Sequence, residues 1–280
     1  MVIATPIGNL GDITLRALET LKLVDVIACE DTRVTRRLLD RYAITTSTLA
    51  YHEHNAERVR PKLIERMRNG DSVGLVTDAG TPLISDPGYK LVRATIDAAV
   101  PVTALPGPTA MIMALTVSGL PTDRFMFAGF LPNRQTARRR ILEELCALDA
   151  TLVFYESPRR LAATLADMSD LLGSRDVAVG RELTKRYEEV IRGPIDELAH
   201  RYADIPPPRG EIVIVVGPPQ DEPFDEASLD DLLGQALPHH SLRDAVDRVT
   251  ADTGLPRRTV YRRALTFGKK MDVKSQTGGK

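Results

Sequence analysis

Apolar residues along this chain fall into two kinds of run that alternate with some regularity. Short runs rich in valine and isoleucine occupy residues 2–4, 24–29, 72–77, 100–105, 124–129, 151–155, 176–180 and 211–216, with the length and composition of buried strands. Between them, residues 15–23 and 58–67 carry apolar positions at helical spacing, and 137–148 continue a helix with a basic start. Strand and helix in alternation predict an α/β protein built from layered sheets.

Two breaks divide this pattern. Residues 117–123, containing Gly119 and Pro121, separate the apolar run 111–116 from a fresh strand, and Pro218, Pro219 and Pro223 stand among acids in a linker-like stretch. The expected organisation is an N-terminal α/β domain over 1–119, a second α/β domain over 120–217, and an acidic, proline-containing linker over 218–228. A helical appendage over 229–268 and a mobile tail over 269–280 complete it. In the appendage, residues 242–251 and 259–265 read as two short helices joined at Thr253-Gly254-Leu255-Pro256, the gap of a helix-turn-helix.

Composition narrows the class. With 43% hydrophobic and 27% charged residues the chain is an ordinary globular protein, and its formal charge of -1 makes any nucleic-acid reading depend on local clusters. Cys29 and Cys146 lie in apolar runs without CxxC spacing, as buried thiols in a reducing compartment do. No apolar stretch approaches the roughly 18 residues of a membrane span. Pro6, Gly8 and Asn9 break the first apolar run, so no signal sequence is expected and the protein is placed in the cytoplasm, with no membrane partner.

Four glycine and proline loops follow or precede the expected strands. Thr5-Pro6-Ile7-Gly8-Asn9 leaves the first strand, and Gly8 lets backbone approach a ligand that a Cβ would exclude, although a plain βα turn reads the same way. The run from Thr77 to Gly88 leaves the apolar residues 73–76 and sets Asp78, Thr81, Ser85 and Asp86 at one strand end, where open α/β sheets bind ligands. Leu105-Pro106-Gly107-Pro108-Thr109-Ala110 opens an apolar helix whose N–H groups suit a carboxylate, with Met111 and Met113 as core filler. Pro208-Arg209-Gly210-Glu211 precedes the most apolar strand. Neither GxGxxG nor GxxxxGK[ST] occurs, which speaks against the usual dinucleotide and triphosphate sites.

Ala4-Thr5-Pro6-Ile7-Gly8-Asn9-Leu10-Gly11-Asp12-Ile13-Thr14, Glu30-Asp31-Thr32-Arg33, His52-Glu53-His54-Asn55, Ser85-Asp86-Pro87-Gly88 and Pro106-Gly107-Pro108-Thr109-Ala110 together carry a resemblance. In order and spacing they resemble the bacterial small-subunit ribosomal RNA cytidine 2′-O-methyltransferase I family, part of the tetrapyrrole methylase superfamily. The resemblance covers about residues 2–216 and extends more loosely over the helical tail. It implies two α/β domains with S-adenosylmethionine bent in the cleft between them, and a homodimer. It places the cofactor loops on Pro6, Ile7 and Gly8, on Asp78, Gly80, Thr81 and Ile84, and on Gly107 and Pro108, with Tyr155, Glu182 and Glu211 from the second domain. One residue precedes Val2 here, whereas members of the family usually carry a longer first strand, so a start further upstream is expected, with the added residues mainly stiffening that strand.

Methyl transfer to a ribose hydroxyl needs in-line positioning and a route for the proton. Glu30-Asp31-Thr32-Arg33 ends the run 24–29 at the sheet edge of the cofactor loops, which makes Asp31 the candidate base and Arg33 the candidate phosphate clamp. The same residues serve equally as structure, with Asp31 or Thr32 capping the next helix and Glu30 pairing with Arg33. Lys185, at another strand end, is a candidate to steady the ribose oxygen, or else belongs to a solvated helix start. His52-Glu53-His54-Asn55 offers two imidazoles without a third His or Cys nearby or HExxH spacing. Substrate contact or loop ordering is expected there, and no metal.

For the substrate, Arg134, Arg138, Arg139 and Arg140 form one basic cluster and Arg257, Arg258, Arg262, Arg263, Lys269 and Lys270 another, as phosphate binding favours. Small-subunit (16S) ribosomal RNA, free or assembled, is the expected partner. Methylation of a tetrapyrrole by the same fold, or a non-catalytic RNA-binding assembly factor, are the alternatives.

Overall fold

The computed structural model describes residues 1–219 and 226–255, together with 257, 260, 261, 263–265 and 267. Residues 1–219 cluster as one compact unit and 220–280 as a second.

The first unit holds two five-stranded sheets. The N-terminal sheet is parallel, in the order β3-β2-β4-β1-β5, from β1 (Val2–Ile3), β2 (Val26–Cys29), β3 (Thr48–Ala50), β4 (Val73–Leu75) and β5 (Ala104–Leu105). Helices α1 (Leu15–Leu23), α2 (Thr32–Arg41), α3 (Ala56–Arg68) and α4 (Tyr89–Asp97) connect these strands. Apolar clusters lie on both of its faces, one gathering Ile3, Leu21, Ile27 and Leu39 and the other Val26, Ala28, Leu63 and Leu91. That double covering is why β2 reads as an unbroken apolar run rather than an alternating one.

The second sheet has the order β6-β7-β10-β8-β9, from β6 (Phe125–Phe130), β7 (Thr151–Glu156), β8 (Asp176–Arg181), β9 (Glu189–Pro194) and β10 (Ile212–Val216). Only β6 and β7 run parallel; the β7–β10, β10–β8 and β8–β9 pairs are antiparallel. Helices α6 (Gln135–Leu145), α7 (Leu161–Leu172) and α8 (Ile195–Ala203) pack on one face, where Phe154, Leu165, Met168 and Ile214 are fully buried. Central β10 is buried at all five positions.

Helix α5 (Ala110–Ser118) covers the other face of this second sheet, where Ala114 and Leu115 meet Val153, Ala178 and Val215. The expected cut at residue 119 would assign α5 to the N-terminal domain, yet its packing belongs to the second. The chain crosses at the 106–109 loop instead. Arg192 reinforces this by donating from Nε to the Ser118 carbonyl at 3.0 Å and from its guanidinium to the Val117 carbonyl.

Strands β3 and β9 have no counterpart among the expected runs. Both are edge strands with half-exposed side chains, so no continuous apolar signal marks them. Helices α4, α7 and α8 likewise emerge only in the structure.

In the second unit, α9 (Glu226–Ala236) and α10 (Leu242–Thr253) share a core of Leu229, Leu233, Val246, Val249, Val260 and Ala264. Ser241 caps α10 through the Asp244 amide, and Gly254 ends it in the left-handed conformation. The described residues from 257 onward are helical, as the helix-turn-helix reading expects. Helix α9 begins inside the stretch expected as linker, and residues 220–225 lie outside the described residues. Among the described residues, no helix is long and apolar enough to cross a membrane.

Candidate active site

The site is built at the ends of β1 and β4, adjacent in the sheet, whose onward connections run in opposite directions toward β2 and β5. Thr5 and Gly80 exchange backbone hydrogen bonds of 2.9 and 3.0 Å, locking the first loop to the second. Thr81 Oγ1 donates to the Pro108 carbonyl at 3.2 Å, tying in the third. Gly107 passes so near the first strand that a Cβ there would stand 2.7 Å from the Ala4 Cβ. Among the described residues, four of the six non-glycine residues with positive φ, Leu83, Ser85, Glu182 and Thr184, lie on loops at this cleft. Each costs about 1–3 kcal/mol and is held by its surroundings.

Two cavities adjoin here. The first, about 360 Å³, is lined by Gly80, Thr81, Ile84, Asp86, Tyr155 and Gly210 among others. The second, about 400 Å³, is lined by Pro6, Gly8, Thr35, Arg37, Asp78 and Lys185 among others. Ile7, Ala79 and Glu211 line both.

The first cavity suits a ligand with an adenosine-like and an amino-acid-like end, and its volume lies within the range of roughly 300–1,000 Å³ usual for small-molecule sites. Thr109 and Ala110 of its wall open α5, whose N-terminus has no side-chain cap, leaving backbone N–H groups available to a carboxylate. Tyr155 stands edge-on to Phe127 and Phe130 at centroid distances of 4.8 and 5.5 Å, and burial raises its hydroxyl above the ordinary tyrosine value. These groups fit S-adenosylmethionine.

Of the expected cofactor residues, Ile7, Gly80, Thr81, Ile84, Tyr155 and Glu211 line the first cavity, while Pro6, Gly8 and Asp78 line the second. Gly107 and Pro108 shape the wall from behind. Glu182 lines neither. Its Oε1 accepts the Glu211 amide at 3.0 Å and the Lys185 ammonium at 2.8 Å, and a Cβ on Gly210 would run into its carboxyl group, so it is a strut under the Gly210–Glu211 turn.

Lys185 Nζ donates to Glu182 and, at 3.0 Å, to Glu211 Oε2. Burial works against its charge, but the two carboxylates outweigh it and hold the ammonium above the ordinary lysine value. Lys185 is therefore a fixed cation in the second cavity.

Asp31 differs from the expectation for a base. Its side chain caps α2 by accepting the Arg33 amide at 2.8 Å, and both its oxygens take the Arg33 guanidinium, at 2.6 to 3.2 Å. Those hydrogen bonds, first from the Arg33 side chain and then from its amide, bring the carboxyl down to about 2. A carboxylate so stabilised is a weak proton acceptor, and Arg33 pairs with Asp31 rather than with Glu30. Next to it, the Asp31 amide donates to Asp78 Oδ1 at 3.1 Å, which keeps the pair at the rim of the second cavity.

The group with the opposite character is Asp86, to which the sequence assigned no catalytic role. Burial, together with the Glu30 and Asp78 carboxylates, pushes it up to about 6 against the opposing Thr77 hydroxyl. Glu30 is raised by burial and then by the Asp78 carboxylate, and Thr77 Oγ1 reaches Glu30 Oε2 at 3.4 Å. No spacing rule marks such a cluster, because its members come from separate loops. The 52–55 segment orders a turn: Asn55 accepts the His52 amide at 3.0 Å and donates to the Ala50 carbonyl at 2.9 Å.

The expected basic clusters are largely engaged within the protein. Arg138, 5% exposed, binds the buried Asp167; Arg139 spans Asp167 and Asp170; Arg140 pairs with Glu144. In the appendage, Arg257 pairs with Asp247 and Arg263 with Asp230, while Arg258, Arg262, Lys269 and Lys270 lie outside the described residues.

A family model described as Tetrapyrrole (Corrin/Porphyrin) Methylases matches residues 1–199, and one described as RsmI C-terminal HTH domain matches residues 223–267. A Mesorhizobium japonicum protein named Ribosomal RNA small subunit methyltransferase I is 52% identical, over 94% of this chain and 90% of its own length. Proteins of the same name from Halalkalibacterium halodurans and Bacillus subtilis are 44% and 41% identical, over 93% of this chain and 92% and 91% of their own lengths. Among solved structures, a cobalt precorrin-4 methyltransferase matches 77% of this chain and 93% of its own with a TM-score of 0.58 at 18% identity. A diphthine synthase matches 77% of this chain and 88% of its own with a TM-score of 0.60 at 14% identity. At those identities the two structures speak for the fold alone. Fold, appendage and relatives agree: the chain belongs to the tetrapyrrole methylase family and, within it, to the ribosomal RNA small subunit methyltransferase I group.

Proposed function

We propose that this protein methylates small-subunit (16S) ribosomal RNA at the ribose 2′-hydroxyl of a cytidine, with S-adenosylmethionine, the methyl donor of its family, as cofactor. The observation that carries the reading is the pair of adjoining cavities sharing Ile7, Ala79 and Glu211, one suited to the cofactor and the other open to a nucleotide. When bound, S-adenosylmethionine supplies an electrophilic methyl group on a sulfonium. The chain's own residues do the rest.

In this reading Pro6, Ile7, Gly8, Asp78, Gly80, Thr81, Ile84, Gly107, Pro108, Tyr155 and Glu211 shape and line the cofactor's surroundings, and Glu182 holds Glu211 and Lys185 in place. Lys185 steadies the ribose oxygen as its proton leaves. The proton goes to Asp86, which lines the first cavity and is hydrogen-bonded to Thr77 of the second, and whose affinity near neutrality suits the task better than that of Asp31. Asp31 instead orients Arg33 at the rim, where the guanidinium meets a phosphate.

The helical appendage assists RNA binding, a reading supported by its match to a helix-turn-helix model. Homodimer formation is supported by exposed apolar side chains on edge strand β6, Phe125, Met126 and Phe130, and on α5, Ile112 and Met113. Met113, at 40% exposed, is thus surface rather than core filler. A cytoplasmic location follows from the substrate.

The test is to incubate the protein and methyl-labelled cofactor with isolated small subunits, naked 16S RNA and a precorrin. Label in cytidine ribose is expected. Transfer confined to the macrocycle, or RNA binding with no transfer, would sink the reading in favour of a tetrapyrrole enzyme or an assembly factor.

A further inference from the structure

We infer that the solvent face of α2 is the track that holds the RNA backbone beside the target nucleotide, with Arg36, Arg37 and Arg41 each facing a phosphate; the inference rests on the RNA-methylating function proposed above. Helix α2 buries Thr35, Leu38 and Leu39 and turns Arg33, Arg36, Arg37 and Arg41 outward, spaced as one helical face. Arg37 also lines the second cavity, so the face begins at the mouth where the nucleotide enters. At its far end Arg41 lies over the Tyr42 ring at 5.8 Å, and Tyr42 donates to the carbonyl of Leu10, another residue of that cavity.

Three features separate these arginines from an ordinary solvated helix face. Among the described residues, no carboxylate pairs with Arg36, Arg37 or Arg41, whereas Arg138, Arg139 and Arg140 on α6 are all ion-paired. Asp40 stands three and four positions from Arg37 and Arg36 yet forms no ion pair with either. The helix dipole favours Arg41 in the last turn of α2 but does not account for Arg36 and Arg37, which lie in its middle, beyond the reach of either end. Only Arg33 in the first turn is compensated, by Asp31. An unneutralised row of guanidinium groups leading from a nucleotide-sized cavity matches the spaced charge of a phosphodiester backbone.

The test uses the full-length protein and measures binding to 16S RNA and isolated small subunits across a salt series. Replacing Arg36, Arg37 and Arg41 together by Gln should flatten the log–log salt slope by about 2, at ~0.7 per phosphate of single-stranded RNA, and weaken binding on the order of 10–100-fold near 0.1 M salt. Arg140→Gln, at an exposed and ion-paired position, should leave slope and affinity unchanged. Unaltered cofactor affinity and thermal midpoint in the triple variant show that the loss lies in RNA contact. A triple variant with the wild-type slope, or one that loses cofactor affinity in parallel, overturns the inference. If the wild-type protein itself transfers no methyl group to RNA, the proposed function fails and this inference with it, an outcome distinct from methylation that persists with an unchanged slope.

Discussion

The methylene stem of Lys185 lies directly across Gly8. A Cβ at position 8 would stand 2.5 Å from Lys185 Cε, so the first loop of the N-terminal sheet is the floor on which a lysine from the second sheet rests. The absent side chain is needed by the protein as much as by any ligand.

Gly8→Ala should therefore displace Lys185 while leaving both sheets intact. A shift of about 1 Å at the reacting groups is enough for a loss of roughly 10²-fold in turnover. Steady-state rates and thermal melting check this; wild-type turnover in Gly8→Ala would contradict it, as would a collapse of the fold.

Asp31→Ala removes the cap of α2 and should cost about 0.5–2 kcal/mol of stability. Asp31→Asn keeps a capping oxygen and should recover most of that. Denaturant unfolding of the two variants separates the capping role from a role as base, since a base would leave both variants equally slow and differ little in stability.

Asp86 predicts a pH dependence. Its proton affinity is raised in the folded state from 3.8 to about 6, so its contribution to stability is present below about pH 4 and is lost as the pH rises through 6. The methylation rate should move the opposite way, rising through pH 6 as the carboxylate forms. Asp86→Asn should lower kcat/KM by about 10²–10⁴-fold and abolish that inflexion. A profile in the variant with the same inflexion would assign the proton elsewhere.

Gly107→Ala should destabilise the protein by about 1–3 kcal/mol through overpacking, because its Cβ meets Ala4 before any ligand. Adding Ala4→Gly should restore part of the loss. Cofactor titration and melting of the single and double variants test this; absence of any rescue would point to exclusion of the ligand itself.

Arg138→Met should cost about 1.5–3 kcal/mol, because Asp167 loses its buried guanidinium and keeps only Arg139 and the Gln135 amide. RNA affinity at temperatures well below its melting point should be unchanged. A loss of RNA binding by the folded variant would return α6 to the substrate surface.

Much of the fold was legible because central strands are buried on both faces and announce themselves as apolar runs, as β2 and β10 do. Edge strands β3 and β9, half exposed, carry no such signature. The linker composition at 217–223 marked the division between the two compact units, whereas the end of the α5 run did not reveal which sheet that helix would cover. Local chemistry was legible too: Gly8, Gly80 and Gly107 stand where backbone must come close, and the ordered motifs pointed to the family.

By itself the sequence determined the element types, the loops that converge at the strand ends and the family to which they belong, because these depend on periodicity and on residues near one another in the chain. Only the tertiary structure decided which charges remain available. Asp31 is spent on a cap and on Arg33, the α6 arginines on Asp167, Asp170 and Glu144, while Asp86 keeps its proton to about pH 6 and, among the described residues, Arg36, Arg37 and Arg41 of α2 pair with no carboxylate. Whether a charged group is neutralised, buried or left to meet a substrate depends on neighbours brought from distant parts of the chain, and no local pattern records them.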